Sequence, residues 1–209
     1  MIVQAELLVD LIKYVAEKII ENKEELTRLD SAIGDGDLGV NMETGFSAIL
    51  KVLPELSHES IDKILVKIGM VYNDAAASSM GVILLTGLLA ASKEVQGKRE
   101  IGISDFARML SAAEIGIRNK GKANLGDKTL LDVLIPVREA LGTDLANGSA
   151  AADIASGIIM AAEKGLASTV DMQSRMGRAK WIGERTKGHP DPGAAALAIM
   201  IKAGAKFLG

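Results

Sequence analysis

Leu7-Leu-Val-Asp-Leu-Ile-Lys-Tyr-Val-Ala-Glu-Lys-Ile-Ile-Glu21 is the stretch on which the fold reading turns. Leu7, Leu8, Leu11, Ile12, Val15 and Ile19 recur at steps of three and four, which puts them on one stripe of an α-helix. Asp10, Lys13, Glu17 and Glu21 fall on the other faces. The same period returns at about 40–53, 58–76, 79–96, 104–120, 127–142, 150–168 and 191–208. No segment alternates strictly or concentrates β-branched residues, so no strand is assigned.

The breaks between these patterns carry turn chemistry. Pro54 and Ser57 precede the third helix, and Gly97 and Gly102 lead to Ser104, an N-cap candidate. Gly121 reads as a C-cap, Asp127 as the cap of the next helix, and Pro192 as the first turn of the last one. Short links make sequential helices antiparallel neighbours. The expectation is an all-α fold of about eight antiparallel helices, in an up-and-down bundle or a closed helical barrel. Nothing reads as a linker or a low-complexity tract, so a single domain over 1–209 is expected. Two connections are longer, at about 22–39 and about 169–190.

Composition agrees with helices. Of the 209 residues 48% are hydrophobic but only 3% aromatic, so the core is built from Ala, Leu, Ile, Met and Val. The net charge of −3 offers no basic field for nucleic acid. The absence of Cys rules out disulfide and thiolate chemistry and suits a reducing, cytoplasmic location. The N-terminus lacks a basic segment followed by an apolar run, so no secretory signal is read. No run reaches the ~18 apolar residues of a membrane span. Met80–Ser92 is the nearest candidate and is expected to be a buried core helix.

Chemistry concentrates in Leu29-Asp-Ser-Ala-Ile-Gly-Asp-Gly-Asp-Leu-Gly-Val-Asn-Met42. Asp30, Asp35 and Asp37 crowd one Gly-punctuated loop, an arrangement that repels itself unless a cation neutralises it. Gly34–Gly39 matches G-x-G-x-x-G, but no strand precedes it and two acids inside the turn would repel a bare pyrophosphate. Gly116–Lys122 nearly matches a P-loop, yet Ala123 stands where Ser or Thr should ligate Mg²⁺ and the segment ends a helix. An EF-hand starting at Asp35 would place Gly39 and Phe46 at two ligand positions. All-oxygen ligation points to a hard cation such as Mg²⁺, Mn²⁺ or Ca²⁺. Three carboxylates against two divalent ions leave about one positive charge, which suits phosphate. On spacing alone, an acidic turn with a capping role stays equally open.

The second long connection holds Arg175, Arg178, Arg185 and Trp181, and ends in His189-Pro-Asp-Pro-Gly193. Arginines suit phosphate recognition, and the N–H groups of Gly193 and Ala194 could face an anion. Solvated surface arginines and a Pro-stiffened helix start are the plainer readings. Trp181 reads either as a stacking platform or as a loop anchor, and His58 as a surface residue.

Several blocks occur in a specific order: Leu29-Asp-x-x-Ile-Gly-Asp-x-Asp37 with Asn41-Met42, Arg118-x-x-Gly-Lys-Ala123, Gly126-Asp-Lys-Thr129 with Asp132-Val133, Met172-x-x-Arg-x-Gly-Arg-Ala179, Gly183-Glu-Arg185 and Gly188-His-x-Asp-Pro-Gly193. Together they resemble the nucleotide-binding L subunit (DhaL) of phosphotransferase-system-dependent dihydroxyacetone kinases, over nearly the whole chain. The resemblance implies an eight-helix barrel with ADP or ATP at one end. It implies two Mg²⁺ ions on Asp30, Asp35 and Asp37. Nucleotide contacts are implied for Leu38, Gly39, Val40, Asn41, Ser79, Met80, Gly121, Leu130, Arg178, Asp191, Pro192 and Gly193. A phosphoryl-carrier M-type protein would recharge the nucleotide, and a K-type subunit would hold dihydroxyacetone and the general base. No catalytic residue is therefore assigned to this chain, and a homodimer is a further option.

Two positions depart from the family pattern. Leu38 stands where the family usually has His, and Ala77-Ser-Ser-Met-Gly-Val-Ile83 replaces Gly-Gly-x-Ser-Gly-Pro-Leu. Met80 thereby replaces a phosphate-contacting Ser, with Ser78 and Ser79 adjacent and Gly81 kept. An ATP-dependent triose or sugar kinase domain and a non-catalytic nucleotide-binding module are the alternative functions.

Overall fold

The opening stripe forms a helix. In the computed structural model, which describes residues 2–209, it is α1 (Ala5–Glu21), burying Ala5, Leu8, Ala16 and Ile19. The next interval departs from expectation. Residues 22–39 are not one long loop, because Leu26, Leu29 and Ile33 share the buried face of α2 (Lys23–Ile33). Asp30 therefore lies in the last turn of a helix, and only the short Gly34–Asp37 segment is irregular. The density of Asp and Gly concealed this face.

The remaining helices are α3 (Leu38–Val52), α4 (Ile61–Ala75), α5 (Ser79–Lys93), α6 (Ile103–Gly121), α7 (Leu131–Asn147), α8 (Ala151–Ser168) and α9 (Pro192–Leu208). Each of α3 to α8 packs on the next, α9 packs on α8 and on α1, and α1 packs on α3. The ring is thereby closed, as a helical barrel requires, while α2 packs mainly on α3 and also touches α9 and α1. Among the described residues there are nine α-helices instead of about eight, α2 being the addition.

One small sheet also forms. β1 (Ile2–Gln4) pairs antiparallel with β2 (Glu100–Gly102), with Val3 opposite Ile101 and both buried. Three-residue strands are too short to show alternation in sequence.

The core follows the composition. Met42, Phe46, Ile61, Ile64, Tyr72 and Val95 belong to the larger cluster, and Val133, Val137, Leu141, Ile158, Ala162 and Ala198 to a second one. Phe46 and Tyr72 meet edge to face with centroids 5.5 Å apart. The buried core helix expected over 80–92 is instead half-exposed. In α5 only Gly81, Gly87, Ala91 and Ser92 are buried, while Leu84 and Leu88 pack against the core partly exposed. No described helix is long and apolar enough to cross a membrane.

Helix ends correct three sequence expectations. The N-cap of α6 is Gly102, not Ser104, and the Asp105 carboxylate returns to the Gly102 N–H at 3.0 Å. Gly121 is the last residue of α6, with Lys122 behind it in the left-handed region at φ 58°. Asp127 does not cap α7, which starts at Leu131; it accepts from the Asn124 N–H at 2.8 Å and closes the preceding turn. Pro192 does open α9.

Gly39 tightens α2 against α3. A Cβ there would stand 2.1 Å from Thr27 Oγ1 and 2.2 Å from the Lys23 carbonyl oxygen. Gly39→Ala gains about 1 kcal/mol of helix propensity but overpacks a backbone contact at roughly 1–3 kcal/mol. A lower urea midpoint is expected, and an unchanged or raised midpoint would contradict this contact.

Candidate functional site: an acidic cleft at one end of the barrel

Asp30, Asp35 and Asp37 come together where α2 passes into α3. One carboxylate oxygen from each lies within 4.8 Å of the others, with Asp30 half-buried and the other two exposed. The turn between them depends on glycine. Gly36 has φ +77°, and a Cβ on Gly34 would stand 2.2 Å from Asp30 Oδ1. Asp30 Oδ2 accepts the Leu38 N–H at 3.1 Å, which fastens the last turn of α2 to the start of α3.

Arg178 reaches these carboxylates from the opposite wall. Its guanidinium pairs with Asp35 and lies 3.8 Å from Asp37. A cation thus occupies the position that the negative charge calls for. Three hard oxygen donors around a cationic stand-in fit Mg²⁺, which takes carboxylate and phosphate oxygens.

The aspartates line a cleft of about 250 Å³. Of the residues nominated from sequence, Leu38, Asn41, Ser79, Met80, Leu130, Arg178, Asp191, Pro192 and Gly193 line it as well. Gly39, Val40 and Gly121 do not. Gly39 is buried against α2, Val40 is 48% exposed, and Gly121 ends α6 beside Ile83, a lining residue. The cleft adds Ile33, Ile83, Lys128, Thr129, Met176 and Gly177, for which the sequence suggested no role. Lys128 and Thr129 lie inside one of the specific sequence blocks, and Met176 and Gly177 inside another.

Arg175, Trp181 and His58 sit outside the cleft lining, whereas Ser78 belongs to it. Arg175 pairs with Asp127 at 3.6 Å, and Trp181 is 86% exposed, so it anchors nothing. His58 is exposed. Ser78 is the N-cap of α5, its hydroxyl accepting from the Gly81 N–H at 3.1 Å. Met80 lies near Gly193, where an added Cβ would meet Met80 Cε at 3.3 Å.

Asp191 caps α9. Its Oδ2 accepts from the Ala194 N–H at 2.8 Å, and its own N–H donates to Thr169 Oγ1 at 2.9 Å. The Ala194 N–H is therefore engaged and does not face an anion. Burial pushes the Asp191 carboxyl up to about 7, against the pull of the Ala194 and Gly193 N–H groups and the Lys128 ammonium. Burial lowers the pKa of Lys128, which the charges of Asp191 and Asp171 oppose.

The raised Asp191 value fixes a sign. The carboxyl contributes its stability fully while neutral, below its ordinary 3.8, and that contribution is lost as pH rises through about 7. Asp191→Asn keeps an acceptor for the cap and cannot ionise. Thermal melts across this range should show wild-type stability falling relative to the variant, whereas parallel curves would contradict the shift.

Comparisons with known proteins agree with this architecture. The family model described as the DAK2 domain matches residues 32–206. The ADP-binding subunit DhaL of the PEP-dependent dihydroxyacetone kinase of Escherichia coli K12 is 36% identical over 182 residues, covering 86% of this chain and 85% of that protein. The corresponding subunit of kinase 1 of Listeria innocua is 34% identical over 187 residues, covering 90% and 88%. The crystal structure of the C. freundii dihydroxyacetone kinase in its native form aligns with a TM-score of 0.75 at 23% identity, over 96% of this chain and 34% of that one. A structure of the same kinase with AMP-PNP and Mg²⁺ gives 0.74. This chain thus spans about a third of the solved kinase and shares the fold of that part. The DhaL resemblance read from the motif blocks is borne out, and the chain belongs to the DAK2 domain family.

Proposed function

We propose that this chain is the ADP-binding subunit of a cytoplasmic dihydroxyacetone kinase, and that residues 1–209 form the single nucleotide-binding domain of that subunit. The observation that carries it is the convergence of Asp30, Asp35 and Asp37 with Arg178 across one cleft. Relatives named as ADP-binding DhaL subunits and a solved relative holding AMP-PNP and Mg²⁺ support the same ligand.

When bound, the Mg-nucleotide supplies the transferable phosphoryl group, its metal offsetting charge on the phosphates. The three aspartates would hold two Mg²⁺ ions. Arg178 would leave Asp35 and Asp37 for phosphate oxygens, which match its planar fork. Asn41 and Ser79 bring polar side chains to the cleft, while Leu38, Met80, Ile83 and Leu130 give it an apolar flank. At the start of α5, Ser78 and Ser79 both line the cleft; the Ser78 hydroxyl accepts from the Gly81 N–H and keeps its own O–H to donate. This chain contributes positioning and charge neutralisation, most of what phosphoryl transfer requires. Dihydroxyacetone and the general base belong to a K-type partner subunit, and an M-type phosphoryl carrier restores the nucleotide.

Mg-ADP at about 100 times its Kd should stabilise the protein by about 2.7 kcal/mol. Asp30→Ala should remove that stabilisation in a thermal shift assay. A wild-type melting temperature unmoved by millimolar Mg-ADP would contradict nucleotide binding. With the K-type partner present, transfer that requires the M-type carrier supports the relay. Equal transfer from solvent ATP alone would assign an ATP-dependent kinase instead.

A further inference from the structure

Lys128 is 2% exposed, and its backbone lies in the left-handed region at φ +60°. An ammonium removed from water must satisfy three N–H donors. Lys128 does so with backbone carbonyls alone: Met172 at 3.0 Å, Thr186 at 2.6 Å and His189 at 2.5 Å. None of the ion pairs among the described residues includes it.

Those carbonyls come from three separate points of the connection between α8 and α9. Arg178 lies between the first and the second of them. The loop is thereby gathered onto one charge at the start of α7. Neighbouring bonds fasten the same region: the Arg175 N–H to the Asp127 carbonyl at 3.1 Å, and the Ser174 N–H to Thr186 Oγ1 at 3.0 Å. Lys128 is itself held in place by Asp132, whose buried carboxylate accepts from the Gly126 N–H at 2.5 Å and the Thr129 N–H at 2.7 Å. The aspartates stand apart from this arrangement, on α2 and the turn that follows it.

We propose that Lys128 is a positioning residue for the nucleotide site, holding the Arg178 loop across the cleft from the aspartates. All three of its donors are engaged, so it acts on phosphate only through Arg178. Convergent carbonyls fit a compact ammonium, and a planar guanidinium does not present donors in those directions. The functional half of this inference rests on the Mg-nucleotide reading; the structural half does not.

The test compares wild type, Lys128→Met, Lys128→Arg, Arg178→Ala and the Lys128→Met/Arg178→Ala pair. Amide hydrogen exchange is measured without ligand, Mn²⁺ binding without nucleotide, and Mg-ADP affinity by calorimetry. Both Lys128 variants should lose protection within 170–190 while α1, α3 and α4 keep theirs. Mn²⁺ binding should persist, and Mg-ADP should bind at least roughly tenfold more weakly, with the double variant no weaker than Arg178→Ala alone. Unchanged loop protection, rescue by Lys128→Arg, or additive losses in the double variant would each overturn the proposal. If Lys128→Met loses Mn²⁺ binding and exchanges throughout, the Lys128→Arg comparison decides. If wild type binds Mn²⁺ but no Mg-ADP, the nucleotide reading fails, and the exchange data still judge Lys128.

Discussion

Three carboxylates whose oxygens lie within 4.8 Å of one another repel, and much of this end of the barrel answers that repulsion. Asp30 is anchored by the Leu38 N–H, so the first charge is fixed by the join between two helices. Gly34 and Gly36 let the chain turn tightly enough to bring the other two beside it. Arg178 then crosses the cleft from a distant part of the sequence to supply opposite charge. The barrel brings these parts together because α9 closes the ring onto α1, which sets the 169–190 loop opposite the start of α3.

The loop that delivers Arg178 contains no α-helix. It consists of short 3₁₀ turns held by side chains, with Thr169 and Thr186 fully buried and each bonded to backbone in two directions. Lys128 adds a charge to this frame, and a charge bonded to carbonyls is stronger than a neutral donor in the same place. A buried ammonium is costly when any donor is left free, and this arrangement of the loop engages all three. The cleft thus has the bonded loop as one wall and the charged turn as the other.

Much of this fold was legible because its helices bury regular stripes. The stripes over 7–21 and 191–208 read directly as α1 and α9, and Pro192 marked its helix start. The face of α2 was not legible, since Asp30, Gly34, Asp35, Gly36 and Asp37 read more strongly as a loop than Leu26, Leu29 and Ile33 read as a helix. The β1–β2 pair was too short for any period to show. In the site, the crowding of acids could be seen, but spacing alone left metal binding and an acidic turn equal. The cleft assignments came from motif blocks, and Gly39, Val40 and Gly121 lie off its lining. The role of Lys128 was not legible because a buried ammonium bonded to carbonyls has no periodic or charge-pair signature in sequence.

Leu38 and Met80 give the cleft a more apolar lining than the family pattern would, leaving its charge on the aspartates and on Arg178. In the proposed nucleotide site, phosphate recognition therefore rests chiefly on metal and arginine, with Asn41 and the serines at the start of α5 as the polar groups beside them. The most direct measurement is a crystal structure with Mn²⁺ and ADP, located by the anomalous scattering of manganese. The account predicts manganese at ligand distance from Asp30, Asp35 and Asp37, with the diphosphate between the metal and a guanidinium of Arg178 that has left Asp35. Manganese on none of the three aspartates, or a diphosphate bound away from this cleft, would contradict it.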